Sequence, residues 1–439
     1  MSKPRIAEWT ELRGLAYLAV VLQHCIGEYI YRSDIQQPDS VMLAMLYHLT
    51  RFGTPTFVFL SAALLFYNGN KPIGYPRYIG RRFRDIYVPF LCWTVIYWVC
   101  TQNWSTAQWG NIYFYKGMFE EMIIPVSGYH LWFVVMIFQF YILFPLFAKA
   151  AGQVQAFLRR YSTKRRKQLV LTIMLIAAAV YALLLQWSYY DMSAWSTRLP
   201  SFWQTLLDYR TYNFVMYFFY FMLGAVCAYM TDTWRGLAKQ ALPWNVFVFI
   251  GLFMLMGHTM LIQSGDTINL NISTYLKPST FVLIVSQLLL LYGLLLHLQK
   301  DTRSEPFRRM LNWIGRYSFG GYLAHALVLA FISYYTRPLA LGDHHFTATL
   351  ITFIVVASVS LGISWLFAHL PGGNWIVGSK GRQRLNWHSF RFQFLSSKRA
   401  SKSTQELWLI LCVCVSAWGY NSNGLWQGSL IELCFFLLP

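Results

Sequence analysis

Residues 12–26, LRGLAYLAVVLQHCI, form an apolar run that carries two ionisable side chains, Arg13 and His24. Ionisable groups at bilayer depth are costly, rare and usually functional. The two residues are 11 positions apart, which corresponds to about 16 Å along a helix that rises ~1.5 Å per residue. This spacing predicts that Arg13 lies near one membrane face and that His24 lies about halfway in. Such a layout suits a site that receives a charged donor at the surface and performs proton chemistry inside.

The composition of the whole chain is that of an integral membrane protein. Of its 439 residues, 56% are hydrophobic, 18% are aromatic and only 12% are charged, and the mean hydropathy is +0.39. A soluble chain carries about 25% charged residues. No small-residue cleavage site follows the first apolar run, so the sequence predicts no cleavable signal peptide. The net charge of +19 does not require a nucleic-acid partner, because basic residues between spans are the usual topology signal.

The hydrophobic pattern predicts an all-α, polytopic transmembrane helix bundle with about ten spanning helices. Gly, Pro and Asn residues occur in the predicted loops between these helices. The predicted spans centre on residues 12–31, 52–68, 86–101, 129–148, 168–187, 212–230, 245–263, 279–298, 317–335 and 347–369.

The distribution of basic residues supports this count and predicts an orientation. With the N-terminus inside, 28 of the 36 Lys and Arg residues fall on the inner side and 7 on the outer side, and Arg13 lies within the first span. The bias alternates at every crossing, as the positive-inside rule requires. The sequence therefore predicts a multi-pass protein of the cell (plasma or inner) membrane with a cytoplasmic N-terminus.

The chain changes character towards its C-terminus. Residues 374–405 are basic and rich in Ser, and residues 407–418 and 425–438 are apolar but short for a span. These patterns predict a membrane domain over residues 1–373 and a basic tail over residues 374–439. The short apolar segments fit a re-entrant or interfacial segment, an eleventh span or a non-native reading of the gene's end, and no function is assigned to the tail.

Several common functional signatures are missing from the sequence. There is no CxxC pair, no HExxH motif and no His/Cys cluster with zinc spacing, so no metal site is predicted. No Walker A loop and no GxGxxG motif are present. ATP-driven transport and dinucleotide chemistry therefore lack their usual signatures.

Six motifs occur in order along the chain. They are ELRGLAYLAVVLQH (11–24), RFGTPTFVFLSAALLF (51–66), RYIGRRFRDIYVPF (77–90), GYHLWFVVMIFQFYILFPL (128–146), FYFMLGAVCAYM (219–230) and IGRYSFGGYLAHALVL (314–329). This series resembles the acyltransferase 3 family of integral membrane O-acyltransferases over roughly residues 8–370. Within it, FGTPTFVFLS and WFVVMIFQFYILF are similar to the poly-N-acetylglucosamine O-succinyltransferase branch and also to membrane acetyltransferases of cell-envelope glycans.

The resemblance implies an enzyme that moves an acyl group, acetyl or succinyl, from cytoplasmic acyl-CoA to a hydroxyl of a cell-envelope or exported polysaccharide or of a lipid-linked sugar. It implies no bound cofactor, since acyl-CoA is the donor substrate. CoA is a group carrier with phosphates at one end and a reactive thioester at the end of a long arm. A basic cluster at the cytoplasmic face is therefore expected to bind the phosphates while the arm reaches a catalytic group deeper in.

The family's Arg-x10-His pattern is present as Arg13 and His24, and the resemblance implies that His24 is catalytic. Imidazole titrates near neutrality, so it is able to take a proton from a sugar hydroxyl that attacks the thioester. From the residue alone, a histidine bonded to a neighbouring helix is the commoner interpretation. Glu28 lies one helical turn further on. It is a candidate to orient or charge the imidazole, or else a solvated residue near the outer surface.

Four arginines are candidates for binding acyl-CoA, namely Arg13, Arg81, Arg82 and Arg84. Guanidinium groups suit bidentate contact with phosphate. Arg81 and Arg84 provide the family's Arg-x-x-Arg spacing. When the motif is aligned on Ile86, however, its second arginine falls on Asp85, which leaves the pairing open. The alternatives are a snorkelling topology anchor for Arg13 and positive-inside charge for the other three.

Three further residues are candidates for the acceptor side: His130 and Trp132 in GYHLWF, and His325 in YLAH. The first two match a family feature at the outer end of a span, where an indole offers a stacking face to a sugar. His325 matches the family's late motif. The alternatives are an interfacial aromatic belt for Trp132 and a structural role for His325.

Two other classes of function fit parts of the pattern. An exporter or transporter of a glycan or lipid-linked sugar also fits ten spans with polar residues near the midplane. A receptor or scaffold has no need for a buried Arg and His pair. Consumption of acyl-CoA separates the enzyme from a pure transporter.

Overall fold

The computed structural model describes residues 4–69, 74–102, 112–265, 267–340 and 344–378 of the chain. Within these ranges the protein is an all-α bundle without a β-strand, which confirms the fold class predicted from the hydrophobic pattern. Its α-helices, in chain order, are α1 (Ala7–Tyr29), α2 (Gln37–Leu49), α3 (Gly53–Asn68), α4 (Tyr75–Arg82), α5 (Val88–Thr101), α6 (Ile112–Glu121), α7 (Trp132–Leu158), α8 (Thr163–Gln186), α9 (Met192–Trp195), α10 (Ser201–Asp208), α11 (Phe218–Tyr229), α12 (Thr231–Gln263), α13 (Pro278–Leu298), α14 (Glu305–Thr336), α15 (His345–His369) and α16 (Asn374–Val377).

Proline marks the start of several helices. Proline lies in the first turn of α2, α4, α13 and α14, at Pro38, Pro76, Pro278 and Pro306. The fixed φ of proline suits this position, and its missing N–H costs no hydrogen bond there because the first four amides of a helix have no partner within it. These helix starts are therefore encoded locally in the sequence.

Each of the ten predicted spans falls on a helix. Within the described residues, seven segments are long and apolar enough to cross a membrane: Gln37–Asn68, Tyr129–Leu158, Thr163–Arg198, Thr231–Gln263, Pro278–Leu298, Thr302–Leu339 and His345–His369. The other three predicted spans lie on α1, which carries charged side chains, and on α5 and α11, which have 14 and 12 residues. The chain is therefore a multi-pass membrane protein. The exact number of crossings and the side of the N-terminus stay predictions.

Helices α1 and α14 run parallel and touch backbone to backbone. A Cβ added at Gly315 would lie 1.9 Å from the carbonyl oxygen of Thr10 and 3.1 Å from the amide nitrogen of Gly14. Further along the same two helices, the ring centroids of His24 and His325 are 5.0 Å apart. Small residues let helix backbones approach closely inside a membrane. The glycines therefore set the distance between α1 and α14 and bring the two histidines together.

Two carboxylates near the start of α1 are buried and paired with cations from other helices. Glu8, 1% exposed, accepts a hydrogen bond from Nε of Arg235 on α12 at 2.7 Å. Glu11, fully buried, pairs with Arg308 of α14 at 3.1 Å and accepts a hydrogen bond from Asn312 at 2.8 Å. Buried charges persist only when they are paired and hydrogen-bonded. These contacts fix the N-terminal end of α1 against α12 and α14. The sequence did not predict them.

The packed bundle continues past the domain boundary predicted at residue 373. Val377 on α16 is fully buried, and Nε1 of Trp93 on α5 donates a hydrogen bond to the carbonyl oxygen of Ile376 at 3.0 Å. Residues 374–378 are therefore part of the membrane bundle. The rest of the predicted basic tail, residues 379–439, lies outside the described residues, and its separate character stays a prediction.

Replacing Gly315 with Ala is expected to destabilise the protein. The added methyl group meets the backbone of α1, so the two helices must separate, and overpacking of this kind costs ~1–3 kcal/mol. Gly362→Ala on α15 is the matched control, because nothing lies within 4 Å of its Cβ position and alanine is the better helix former by ~1 kcal/mol. The apparent melting temperature of each purified variant in detergent measures the difference. Equal temperatures for the two variants would contradict the close contact.

Candidate active site

Three histidines from separate segments meet near one end of α1. His24 comes from α1, His130 from the single helical turn that precedes α7, and His325 from α14. The ring centroids are 5.0 Å apart for His24 and His325, 4.6 Å for His130 and His325, and 6.2 Å for His24 and His130. We call these three residues the histidine cluster. The sequence singled out all three, and the structure brings them together from distant parts of the chain.

Tyrosine side chains hold the turn that carries His130. The hydroxyl of Tyr322 donates a hydrogen bond to the backbone carbonyl of His130. The ring centroids of Tyr97, Tyr129 and Tyr322 lie 5.2, 5.7 and 5.3 Å from that of His130, each in an edge-to-face arrangement. Aromatic rings prefer this geometry. The imidazole of His130 is therefore held by its neighbours on several sides and kept in the cluster.

Hydrogen bonding fixes the tautomer of one ring in the cluster. Nδ1 of His325 lies 2.5 Å from the backbone carbonyl oxygen of Tyr322. A carbonyl oxygen only accepts, so Nδ1 carries the hydrogen and Nε2 of the neutral ring presents a lone pair. Neither this Nε2 nor the two ring nitrogens of His130 has a hydrogen-bond partner of normal geometry among the described residues. Three such nitrogens lie close together in this cluster, where a polar ligand is able to satisfy them.

His24 is the most accessible member of the histidine cluster. It is partly exposed, whereas His130 and His325 are 2% and 0% exposed. The ring of Tyr129, a residue that is 52% exposed, lies 5.2 Å from the ring of His24. The accessible side of the cluster is therefore the one formed by His24 and Tyr129. In the part of the chain that the structure describes, no group of three His, Cys, Asp or Glu side chains is arranged to hold a metal ion.

His24 lies towards the C-terminal end of α1, as the 18th of its 23 residues. Helix α1 begins at Ala7, before the apolar run, with Glu8 and Glu11 buried by their ion pairs. His24 therefore lies near the end of α1 that the charge distribution predicts to be the outer one, and Arg13 lies nearer the other end. The depth of His24 in the membrane stays a prediction.

Glu28 has a different partner from the one predicted. Its carboxylate pairs with the guanidinium of Arg337, just beyond the end of α14, and accepts a hydrogen bond from Nε at 2.6 Å. No hydrogen bond or ion pair among the described residues joins Glu28 to His24. Charge-assisted hydrogen bonds from a guanidinium are the stronger interaction for a carboxylate. The predicted contact with His24 is therefore not made, and a catalytic role for Glu28 stays a prediction.

Arg13 and Arg82 share a neighbour. The guanidinium carbon of Arg82 lies 5.3 Å from the ring centroid of Tyr141 and 5.6 Å from that of Tyr78, distances at which an aromatic face attracts a cation. Arg13 has Tyr141 and Arg5 within electrostatic range. In the ranges that the structure describes, no carboxylate pairs with Arg13 or Arg82. The two guanidinium groups therefore make the region around Tyr141 positively charged. A site that binds phosphate requires such a region.

Arg81 and Arg84, which supply the predicted Arg-x-x-Arg spacing, both face outwards. Arg81 is exposed, and Arg84 is exposed and bound through Nε to Asp85 at 3.0 Å. The inward face of α4 carries Tyr78 and Arg82 instead, which are four residues apart and hence on one side of the helix. Of the three arginines predicted here, the structure therefore turns only Arg82 towards the bundle. Donor binding by Arg81 and Arg84 stays a prediction.

Trp132 belongs to a neighbouring aromatic group rather than to the histidine cluster. Its ring stacks on Tyr217 at 6.1 Å and on Tyr275 at 6.4 Å between centroids, with interplanar angles of 30° and 21°. Phe133 lies between the two groups, because its ring centroid is 6.0 Å from that of Trp132 and 5.9 Å from that of Tyr322. Trp132 is thus adjacent to the cluster, and its acceptor role stays a prediction.

The tyrosines that surround the histidine cluster were not predicted from the sequence. Tyr129 directly precedes His130, and Tyr322 precedes His325 by three residues. The motifs GYH and YLAH contain this signal, since residues three apart on a helix lie on the same side. Tyr97 has no comparable signal. Its hydrogen bond to α14 is made across 226 residues of chain, so only the folded structure shows its position.

Comparison with known proteins identifies relatives of the chain. A protein-family model described as an acyltransferase domain matches residues 8–369. A Staphylococcus aureus (strain MRSA252) protein named "Probable poly-beta-1,6-N-acetyl-D-glucosamine export protein" is 22% identical over 400 residues, covering 89% of this chain and 100% of the relative. Proteins of the same name from strains MSSA476 and N315 match to the same extent. No solved structure gives a significant match.

Chemical modification should distinguish the members of the histidine cluster. Diethyl pyrocarbonate reacts with accessible imidazoles, and we expect it to modify His24 before His130 and His325 because only His24 is partly exposed. The exposed His297 and His344, at the end of α13 and just before α15, serve as fast-reacting references in the same molecule. Peptide mass spectrometry at successive times measures the order. Modification of His325 before His24 would show that the reagent enters the histidine cluster from another side.

Proposed function

This chain belongs to the acyltransferase 3 family, and on that basis we propose that it is a membrane O-acyltransferase whose donor is cytoplasmic acyl-CoA. The acyl group, acetyl or succinyl, passes to a hydroxyl of a cell-envelope or exported polysaccharide or of a lipid-linked sugar. No other cofactor takes part in the proposed reaction. The observation that carries the proposal is the histidine cluster, in which buried ring nitrogens without partners lie beside a partly exposed His24.

The proposed reaction moves one proton and one acyl group. The sugar hydroxyl oxygen attacks the carbonyl carbon of the thioester while His24 takes the hydroxyl proton as general base. The carbon–sulfur bond of the tetrahedral intermediate then breaks, and His24 returns the proton to the leaving CoA thiolate. A positioned imidazole contributes ~10²–10⁴-fold to the rate of such a step. Histidine is suited to both proton transfers because it titrates near neutral pH.

Binding of the sugar acceptor is assigned to His130, His325 and the aromatic rings beside them. Nε2 of His325, whose Nδ1 is held by the carbonyl of Tyr322, is available to accept a hydrogen bond from a second hydroxyl of the sugar. His130 contributes two further unpaired nitrogens to the same space. The ring of Trp132 lies next to the cluster and offers a flat apolar face to a sugar ring. These groups favour a glycan as the acceptor.

Binding of the acyl-CoA donor is assigned to Arg13 and Arg82. Guanidinium groups bind phosphate through paired hydrogen bonds, and no carboxylate among the described residues neutralises these two. Arg13 is 11 residues from His24 on the same helix, about 16 Å at ~1.5 Å per residue. A donor with its phosphates and its thioester at opposite ends of a long arm fits this separation. Arg81 and Arg84 add surface charge that attracts the anionic donor.

A second candidate function is export of a polysaccharide. The relatives from Staphylococcus aureus are named probable export proteins for poly-β-1,6-N-acetyl-D-glucosamine, which favours a glycan ligand in either case. A pure exporter has no need to consume acyl-CoA and no need for a group that accepts a proton. The histidine cluster favours the transferase, because it places a proton acceptor next to two residues able to hold a hydroxyl.

Replacing His24 with Ala is expected to reduce acyl transfer by roughly 10²–10⁴-fold, because the general base is lost. The assay measures transfer of labelled acetyl or succinyl groups from their CoA thioesters to poly-N-acetylglucosamine oligosaccharides by the purified protein in nanodiscs. His258→Ala is the matched control, since it removes an exposed histidine of α12 and should retain activity.

The same assay separates the two candidate functions. Near-normal transfer by a correctly folded His24→Ala variant would remove His24 from the mechanism. A wild-type protein that transports the oligosaccharide across proteoliposome membranes but transfers no acyl group from either thioester would make export the better assignment.

Replacing Arg82 with Gln is expected to raise the KM for acyl-CoA about tenfold or more, because a charge-assisted hydrogen bond contributes ~1.5–3 kcal/mol. Arg81→Gln is the matched control on the same helix, and as an exposed residue it should change KM by less than about fivefold. Added salt should raise the wild-type KM in the same direction. Equal effects of the two substitutions would show that α4 acts through net charge alone.

A further inference from the structure

A polar cavity lies beside the N-terminal part of α14, away from the histidine cluster. Its volume is about 420 Å³, within the ~300–1,000 Å³ of small-molecule sites. The side chains that line it include Arg5, Arg308, Arg309, Arg316, Glu305 and Trp313. We call this cavity the arginine pocket. None of its residues is among the candidates that the sequence singled out.

The arginine pocket has an excess of positive charge. Its four arginines face one lining carboxylate, Glu305, which pairs with Arg308 at 3.2 Å and with Arg309 at 2.9 Å. Arg308 also pairs with the buried Glu11 and is thereby fixed, and its Nε is buried without a partner. Arg316 is exposed and makes no ion pair with another described residue. A net positive cavity with fixed guanidinium groups fits an anion that carries several charges.

Trp313 gives the pocket an aromatic wall. The residue is 41% exposed, and its ring centroid lies 5.3 Å from that of Tyr317, one turn further along α14. Every nucleobase has a π face that stacks on aromatic side chains, and guanidinium groups bind phosphates. The pocket therefore combines the two features that recognise a phosphorylated nucleoside.

The pocket and the histidine cluster are built on the same pair of helices. Arg316 precedes His325 by nine residues on α14, about 14 Å at ~1.5 Å per residue. Arg5, which lines the pocket, is within electrostatic range of Arg13 on α1. Because α1 and α14 run parallel, a long ligand anchored in the pocket has Arg13 along its path towards His24.

We propose that the arginine pocket binds the 3′-phosphorylated adenosine end of acyl-CoA, while the 5′-diphosphate lies further along, towards Arg13 and Arg82. This inference rests on the proposed function and deepens it by naming where the donor is anchored. Arg309 and Arg316 bind the 3′-phosphate together with the fixed Arg308, and Trp313 stacks on the adenine. The acyl arm then passes Arg13 and reaches the histidine cluster. The charge distribution predicts the pocket on the cytoplasmic side, where the donor is made available.

Calorimetric titration of the purified full-length protein in nanodiscs tests the proposal, with CoA and adenosine 3′,5′-bisphosphate as probes. The double substitution Arg309→Gln/Arg316→Gln should weaken binding of both about tenfold or more, since two charge-assisted contacts are lost. It should raise the KM for acyl-CoA similarly and leave kcat within about twofold. Trp313→Ala should weaken binding of CoA but leave binding of inorganic phosphate unchanged.

The matched control is Lys164→Gln/Lys167→Gln, which removes two exposed charges from the start of α8 on the same predicted side. It should change binding by less than about fivefold, as exposed charges do. If the pocket variant keeps the wild-type KM while the wild type transfers from acyl-CoA, the pocket assignment is wrong and the proposed function stands. If the wild type binds CoA through these arginines but transfers no acyl group, the proposed function falls and the pocket stands as a nucleotide site.

A lipid headgroup is the other source of phosphate at a membrane surface. Nanodiscs with and without phosphatidylglycerol distinguish the two sources. If neither nucleotide probe binds, and the arginines instead govern retention of phosphatidylglycerol by the purified protein, the pocket is a lipid site and the proposal is overturned.

Discussion

The backbones of α1 and α14 approach so closely at Gly14 and Gly315 that no side chain fits between them. In a membrane, where lipid offers helices no hydrophobic reason to associate, small residues and polar contacts provide the attraction. Because the helices are parallel, this contact also fixes the separation of residues further along both of them, including His24 and His325. The histidine cluster and the arginine pocket are two sites along one helix pair, and the positions of both depend on this contact.

Polar side chains inside the bundle fall into two kinds. Glu8 and Glu11 have cationic partners on other helices, and they hold α1 in place. The nitrogens of His130 and Nε2 of His325 make no hydrogen bond of normal geometry with the described residues. These nitrogens of the histidine cluster are close together and are available to a polar ligand. This contrast separates the groups that stabilise the protein from the groups available for chemistry.

The sequence predicted the helices well because apolar length and proline positions are local signals, and every predicted span falls on a helix. The histidines were identified because their motifs are also local. The partner of Glu28 and the ion pair between Glu8 and Arg235 were not predictable, because each joins residues that only tertiary packing brings together. The same reason applies to the arginines of α4. The Arg-x-x-Arg spacing pointed to Arg81 and Arg84, whereas the packing of the helix turns Arg82 towards the bundle.

The paired carboxylates of α1 also bear on how the chain is synthesised. Glu8 is made 227 residues before Arg235, so at ~5–20 residues per second its partner follows on the order of ten to forty seconds later. Until then α1 carries unmatched charges that lipid solvates poorly. Helix α1 leaves the ribosome before the helices that hold it and is thus seated stably only after they follow. A chain that stops short of α12 and α14 leaves it without the cations that hold it in the membrane.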